Sequence, residues 1–413
     1  MKDTTKEADL RQPAPRNGWM ISALGVVQIC AFGSLFYSFP LIAEAMRIDL
    51  GWSKPEIYGA ATLGLALAGF ASYPVGAAID RGLGRYVMSL ASVAAGLLLI
   101  AWSQLDDIVL FYIVFAAIGC LQAATLYEAA FAVVARRVGA GNARDAITML
   151  TLWGGFASTV FIPLIQLLIE WYGWRGALVW LGLINIVICA GLNYLFIDPK
   201  RDHPVPVREA HEDQPLAGRR AVSWAFRQPV FWALMITMLA YAAAFSALIF
   251  HLYPLLLERG LSAAGVVAVL AVIGPSQVAG RVLIWVIAKR ASVRSVGSVI
   301  VAVFPLAVIG FALAPPDVLV MGGIAALYGA ANGVMTIVRG LAVPEMLSRE
   351  AYGAINGALL APSHMVQAAA PLVAAWLWAA SGSYDVVLIV ILAGALVMAA
   401  AFWMAAMLSR RTA

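Results

Sequence analysis

Charge is scarce in this 413-residue chain: 12% of residues are charged against 63% hydrophobic, and the mean hydropathy is +0.88. That balance excludes an ordinary soluble domain. Cysteine is scarcer still. Cys30, Cys120 and Cys189 are odd in number and each falls inside an apolar run, which argues against a disulfide or thiolate-metal framework. The four histidines are scattered, so there is no histidine-rich metal box. A phosphate-cradling Walker sequence and a nucleophile motif are both missing, which disfavours direct ATP drive and an enzyme, and no cofactor is implied. The apolar runs also lack the roughly ten-residue dyad alternation of outer-membrane strands, which disfavours a β-barrel.

What is present is an apolar run of bilayer length, repeated about twelve times. A helix rising 1.5 Å per residue needs about 20 apolar residues to cross the hydrocarbon core. The expected spans are 19–44, 57–79, 86–104, 108–134, 146–169 and 176–197, then 229–256, 263–288, 295–314, 318–341, 352–380 and 384–408. Cations alternate in density between successive loops. One set, comprising the tail before residue 19, Arg81/Arg85, Arg136/Arg137/Arg144, the central loop, Lys289/Arg290/Arg294, Arg349 and Arg410/Arg411, holds about 21 cations. The other set holds only Arg47, Lys54, Arg175 and Arg259. Cytoplasmic loops carry the cation excess, so both termini are expected in the cytoplasm and the span count is even. The same asymmetry accounts for the net charge of +5 without a nucleic acid partner. The first span is too long for a signal-peptide core, and no cleavage site follows it.

The long polar segment 198–228 carries Pro199, Pro204, Pro206 and Pro215 and reads as a linker, with a short amphipathic helix expected around Arg219 to Arg227. It divides the chain into a tail (1–18), a six-span bundle (19–197), the linker, a second bundle (229–408) and a short tail (409–413). The halves repeat at an offset of about 209 residues. Gly51-Trp52-Ser53 falls on Gly260-Leu261-Ser262, Asp80-Arg81 on Lys289-Arg290, and Gly173-Trp174-Arg175 on Gly382-Ser383-Tyr384.

After the second span the chain reads Gly76-Ala-Ala-Ile-Asp80-Arg81-Gly82-Leu83-Gly84-Arg85. Together with the 6+6 parallel repeat, this resembles the major facilitator superfamily and its signature between helices two and three, with Leu83 standing where that family usually has glycine. The resemblance implies an all-α membrane fold of two six-helix bundles related by a pseudo-two-fold, working as a monomer. Gly76 would allow close helix approach, while Asp80, Arg81 and Arg85 would cap and pair at helix ends. Two drug/proton antiporter signatures are missing: Ala116 and Ala117 stand where span four would carry an arginine, and span five, Gly154 to Pro163, lacks the glycine-proline pair. In span eight, Gly274-Pro275-Ser276-Gln277-Val278-Ala279-Gly280-Arg281 is similar to monocarboxylate porters and oxalate:formate antiporters, where an arginine here engages the substrate carboxylate. Gln277 replaces the porters' usual aspartate, span eleven has no lysine, and the porters' first-helix motif is not found.

Ionisable residues inside a membrane are functional candidates by default. Arg281 is read as a carboxylate anchor, against snorkelling or a structural ion pair. Glu128 is read as a proton carrier, as a fixed partner of an arginine or a gate with Arg281, or as a carboxylate in simple solvent contact in a cavity. His364 could protonate with substrate or bond a neighbouring helix. His251 is expected near the interface, with cavity lining as the alternative, and Arg339 is expected to snorkel from the last turn of span ten. The first and fourth helices of each half usually line the path in this fold, which points to Phe32, Phe36, Tyr37, Gln122, Tyr127, Tyr241, Phe245, Tyr328 and Asn332, with Asn356 from span eleven. Each aromatic is individually as readily explained by packing. Gly64, Gly69, Gly154, Gly155, Gly329 and Gly333 read as helix-contact positions. The leading expectation is a secondary transporter of a small organic anion, in a bacterial inner membrane, with possible proton symport through Glu128 or His364. Transport of a larger amphiphilic metabolite and a non-transporting solute sensor are the alternatives.

Overall fold

The structure, a computed structural model, describes residues 18–139, 143–202, 214–287, 291–348 and 352–409. Lys2, Lys6, Arg11, Arg16, Lys289, Arg290, Arg349, Arg410 and Arg411, which contribute to the cation count, lie outside these residues, as do Pro204 and Pro206 of the linker. The described residues form helices without strands. This is the expected consequence of apolar runs that must satisfy every backbone group internally.

Ten helical segments are long and apolar enough to cross a membrane. Two of them, Lys54–Trp102 (49 residues) and Ala146–Arg201 (56 residues), are twice the necessary length. Each turns back at a left-handed glycine, Gly82 (φ +85°) and Gly173 (φ +67°), so the ten segments make twelve crossings among the described residues. We number these crossings α1 (Gly18–Leu50), α2 (Lys54–Ala78), α3 (Gly84–Trp102), α4 (Ile108–Val138), α5 (143–172) and α6 (174–196). The second half has α7 (Pro229–Glu258), α8 (Ala263–Ile287), α9 (Val293–Leu313), α10 (Val318–Met346), α11 (Tyr352–Ser381) and α12 (Tyr384–Leu408). A helix at Gln214–Phe226 lies between the halves and packs on α11. An even number of crossings puts Gly18, this linker helix and Leu408 at one end, the linker end, opposite the far end.

The 209-residue repeat is written into the backbone. Gly51 and Gly260 both take positive φ after the first helix of their half, as do Gly173 and Gly382 before the last. Ser53 and Ser262 each accept an amide hydrogen bond three residues on, capping α2 and α8. Asp49 and Glu258, also 209 apart, each accept an indole N–H, from Trp174 and Trp378. Arg85 and Arg294 each tie the third helix of a half to its last, at the carbonyls of Tyr194 (2.7 Å) and Ser409 (3.0 Å).

At the linker end the signature differs in detail from the expectation. Arg136, at the end of α4, donates to the main-chain oxygen of Asp80, while the Asp80 carboxylate and Arg81 are exposed and have no partner among the described residues. Arg137 is buried and donates to Asp202 (3.2 Å) and to the carbonyl of Asp198 (2.7 Å). The cation at the helix end therefore meets carbonyls, as the macrodipole favours. Gly69 and Gly76 have open space around them, so neither is a close helix contact, unlike Gly64, Gly154, Gly155, Gly329 and Gly333.

Prolines shape the contacts between helices. A proline has no N–H, so the carbonyl four residues earlier loses its helical partner. Pro254 frees Phe250, whose oxygen accepts from the Tyr58 hydroxyl at 3.0 Å. Pro275 frees Ala271, which accepts from Thr159 at 3.0 Å. Pro371 frees Gln367, which accepts from Ser246 at 2.7 Å. The first two of these bonds join the halves, one from α2 to α7 and the other along the packed pair α5 with α8.

Candidate substrate site and the closed far end

Four tyrosines and one arginine converge between the halves. α8 and α10 approach so closely that a Cβ on Gly333 would lie 2.1 Å from the Gln277 oxygen, and one on Gly280 would lie 2.5 Å from that of Ala330. This contact lets Arg281, half-buried on α8, donate through Nε to the carbonyl of Gly333 at 3.2 Å. Its Nη1 is buried with no hydrogen-bond partner among the described residues. Tyr127 of α4, Tyr241 of α7 and Tyr37 of α1 are the groups within electrostatic range of that guanidinium. Tyr241 and Tyr37 in turn reach Tyr328 of α10. Tyr241 donates to Asn332 Oδ1, and the Tyr328 hydroxyl is buried without a partner among the described residues. Phe32 packs on Tyr127, ring centroids 4.5 Å apart. Tyr37 also borders a void with Pro40, Ser158, Ile249, Tyr253 and Ile273, drawn from both halves.

An arginine at the centre of a membrane helix costs about 3 kcal/mol, and a buried donor left unpaired about 1–3 kcal/mol more. No carboxylate pairs with Arg281 among the described residues. A guanidinium fixed at Nε but open at Nη1, beside tyrosine hydroxyls, is suited to hold a planar anion.

The other expected residues divide between two further places. Gln122 donates to the Leu35 carbonyl at 2.7 Å, an oxygen in the π-helical turn Gly33–Tyr37 of α1, so its amide N–H is engaged by the fold. Phe36 borders the same void as Gln122 and meets Phe250 edge-on at 5.1 Å. Phe245 stacks on Tyr241 and faces a void inside the second half with Tyr328 and Phe304. Asn356 keeps a buried Oδ1 unpaired. Glu128 and His364 are both exposed, and Glu128 lies within electrostatic range of His364 together with Arg339. No ion pair joins Glu128 to Arg281 among the described residues.

Three residues stand elsewhere than their sequence context suggests. Arg339 is not in a last turn: α10 continues through Pro344 to Met346, and the guanidinium folds over the Tyr241 ring at 5.2 Å instead of reaching an interface. His251 is fully buried. It stacks on Tyr58 with centroids 4.1 Å apart, and its ring nitrogens meet the Tyr384 hydroxyl and the Pro371 carbonyl, both at 2.9 Å. Since Pro371 O only accepts, Nε2 donates to it, and the neutral ring takes the Tyr384 proton at Nδ1. Lys54 is 4% exposed, so it is no solvated loop cation. It donates to the Tyr384 hydroxyl at 3.1 Å and sits 3.6 Å over the Trp378 ring. Lys54, Tyr58, Trp378 and Tyr384 thus close the far end between the halves, assisted by Tyr253 donating to Gln166 at 3.0 Å. Sequence reasoning passed over this group, although Lys54 among four sparse cations and Pro254 beside His251 were available signals.

Twelve crossings in two repeated bundles, meeting around a central polar site, define a membrane transporter. The chain belongs to the Major Facilitator Superfamily, whose profile matches residues 24–327. Human monocarboxylate transporter 11 is 28% identical over 292 residues, covering 68% of this chain and 59% of that protein, so the match spans less than two thirds of its relative. A mutant of the nucleoside transporter NupG has a TM-score of 0.76 at 15% identity, with 94% of this chain and 98% of that one aligned. A bacterial homolog of the human lysosomal transporter Spinster, in an inward-facing and unoccupied conformation, gives 0.71 at 14% identity over 97% and 99%. At such identities the likeness is one of fold.

Proposed function

We propose that this chain is a secondary transporter of small organic carboxylates that works by alternating access, with Arg281 as the anion anchor. The observation that carries the reading is the buried, unpartnered Nη1 of Arg281 among Tyr37, Tyr127 and Tyr241. Asn332 orients Tyr241, Tyr328 offers a free hydroxyl, and Phe36, Phe245, Gln122 and Asn356 shape the surrounding walls. The 28% likeness to monocarboxylate transporter 11 points to the same chemistry.

In this reading the linker end faces the cytoplasm, since it holds the cation-rich loops, and the membrane is a bacterial inner membrane. The contacts of Lys54, Tyr58 and Tyr384 then make the conformation inward-facing. Glu128 and His364, exposed and within electrostatic range of each other, are placed to carry a coupled proton, and Asp80, Arg81 and Arg85 with Gly76 belong to the conformational motif. The chain acts as a monomer and catalyses no reaction.

The test is uptake of radiolabelled carboxylates by proteoliposomes under an imposed proton gradient. Saturable uptake that collapses in Arg281→Ala, and that the gradient accelerates unless Glu128 or His364 is replaced, supports the reading. Absence of uptake of every carboxylate by folded wild-type protein moves the assignment to a larger amphiphilic solute.

A further inference from the structure

Arg281 is not the only uncompensated cation at the centre. Arg339 on α10 is half-buried, and its guanidinium lies over the Tyr241 ring at 5.2 Å and interacts with the Tyr241 hydroxyl. That hydroxyl donates to Asn332, the residue before Gly333, whose carbonyl holds Arg281 Nε at 3.2 Å. The two arginines are therefore the ends of one polar chain, Arg339 to Tyr241 to Asn332, closed by Gly333 and Arg281. Neither forms a salt bridge among the described residues. Two like charges in one low-dielectric site, each without a carboxylate, raise a cost that a single monoanion offsets only by half.

The spacing is set by α10. Gly333 and Arg339 are six residues apart, a rise of about 9 Å, and a helical side chain leans toward the N-terminus, which carries the Arg339 head back toward Gly333. Tyr241 is within electrostatic range of both guanidiniums, and the two ends of a short dicarboxylate beside it would each take guanidinium N–H donors at about 2.8 Å. His364, within electrostatic range of Arg339 and of Glu128, is exposed, as is Glu128.

Building on the carboxylate reading above, we propose that the site takes dicarboxylates in preference to monocarboxylates, with Arg281 holding one carboxylate and Arg339 the other. Arg339 is the specificity-determining residue: it acts on the second anionic group and on nothing else in the ligand.

The experiment is isothermal titration of purified full-length protein in nanodiscs with succinate, glutarate and butyrate. Wild type is expected to bind succinate or glutarate at least tenfold more tightly than butyrate. Arg339→Gln is expected to weaken the dicarboxylates far more than butyrate, bringing them to within threefold of it, and Arg339→Lys to restore part of the preference. Arg281→Gln is expected to lose all three ligands. Equal or tighter butyrate binding by wild type overturns the dicarboxylate proposal and leaves the carboxylate reading standing. Equal weakening of all three ligands in Arg339→Gln also overturns it, making Arg339 a structural residue. If Arg339→Gln and Glu128→Gln both slow transport without altering ligand preference, the pair is a gate and the proposal fails. Binding of none of the three by folded wild type removes both readings together.

Discussion

Lys54 Nζ of the first half donates to Tyr384 Oη of the second at 3.1 Å, across the far end of the molecule. The Tyr384 hydroxyl donates to His251 Nδ1, and Nε2 donates to the Pro371 carbonyl, so one continuous chain of donors fixes the closure. Because Lys54 also lies on the Trp378 ring, with Glu44 and Glu258 in electrostatic range, the cation at the closed end is held by aromatic, hydroxyl and carboxylate groups together.

Lys54→Ala or Tyr384→Phe should therefore favour the alternative opening. Losing one such bridge, about 1–1.5 kcal/mol, shifts the conformational ratio roughly five- to tenfold. A cysteine at Leu41, placed in a background with Cys30, Cys120 and Cys189 replaced by serine, should then react faster with a membrane-impermeant maleimide from the far end. Unchanged labelling would show that the contact does not hold the closure.

The Tyr58 hydroxyl has a partner only because Pro254 leaves the Phe250 carbonyl free. Tyr58→Phe should cost about 1 kcal/mol of stability in the native background. In a Pro254→Ala background, where Ala supplies the missing N–H, the same substitution should cost about half that or less. A double-mutant cycle in thermal melts measures the coupling, and strict additivity would contradict it.

Glycine at the α8–α10 contact is set by backbone, not side chains. A Cβ at Gly333 meets the Gln277 oxygen at 2.1 Å, so Gly333→Ala should destabilise by about 1–3 kcal/mol and displace Arg281. Gly69, with nothing within 4 Å, is the control: Gly69→Ala should be neutral or gain about 0.5–1 kcal/mol through helix propensity. Melting temperatures of the two variants in detergent test the contrast.

The fold was legible because its signals are long and repeated. Hydropathy gave the crossings, and the pairs Gly51/Gly260 and Gly173/Gly382 carried the two-fold register into left-handed turns that only glycine adopts freely. Arg281 was legible as a charge without cause in an apolar helix. Arg339 and His251 were not, for different reasons. Helix ten ends seven residues beyond Arg339, and no apolar pattern marks where a helix leaves the hydrocarbon. His251 is buried by the opposing half, against Tyr58, and contact between halves depends on which end of the molecule is closed. Gln122 was legible as a polar, central residue and borders a void with Phe36, but the bond of its amide to the π-helical turn in α1 was not legible.

The most direct test of the account is substrate counterflow in proteoliposomes with no imposed gradient, comparing wild type, Arg281→Lys and Arg281→Gln. Loss of a charge-assisted anion contact worth about 2–3 kcal/mol corresponds to roughly 30- to 150-fold in affinity. The account predicts a loss of that size for carboxylate exchange in Arg281→Gln and a smaller one in Arg281→Lys, with both proteins folded. Exchange by Arg281→Gln within threefold of wild type would contradict it.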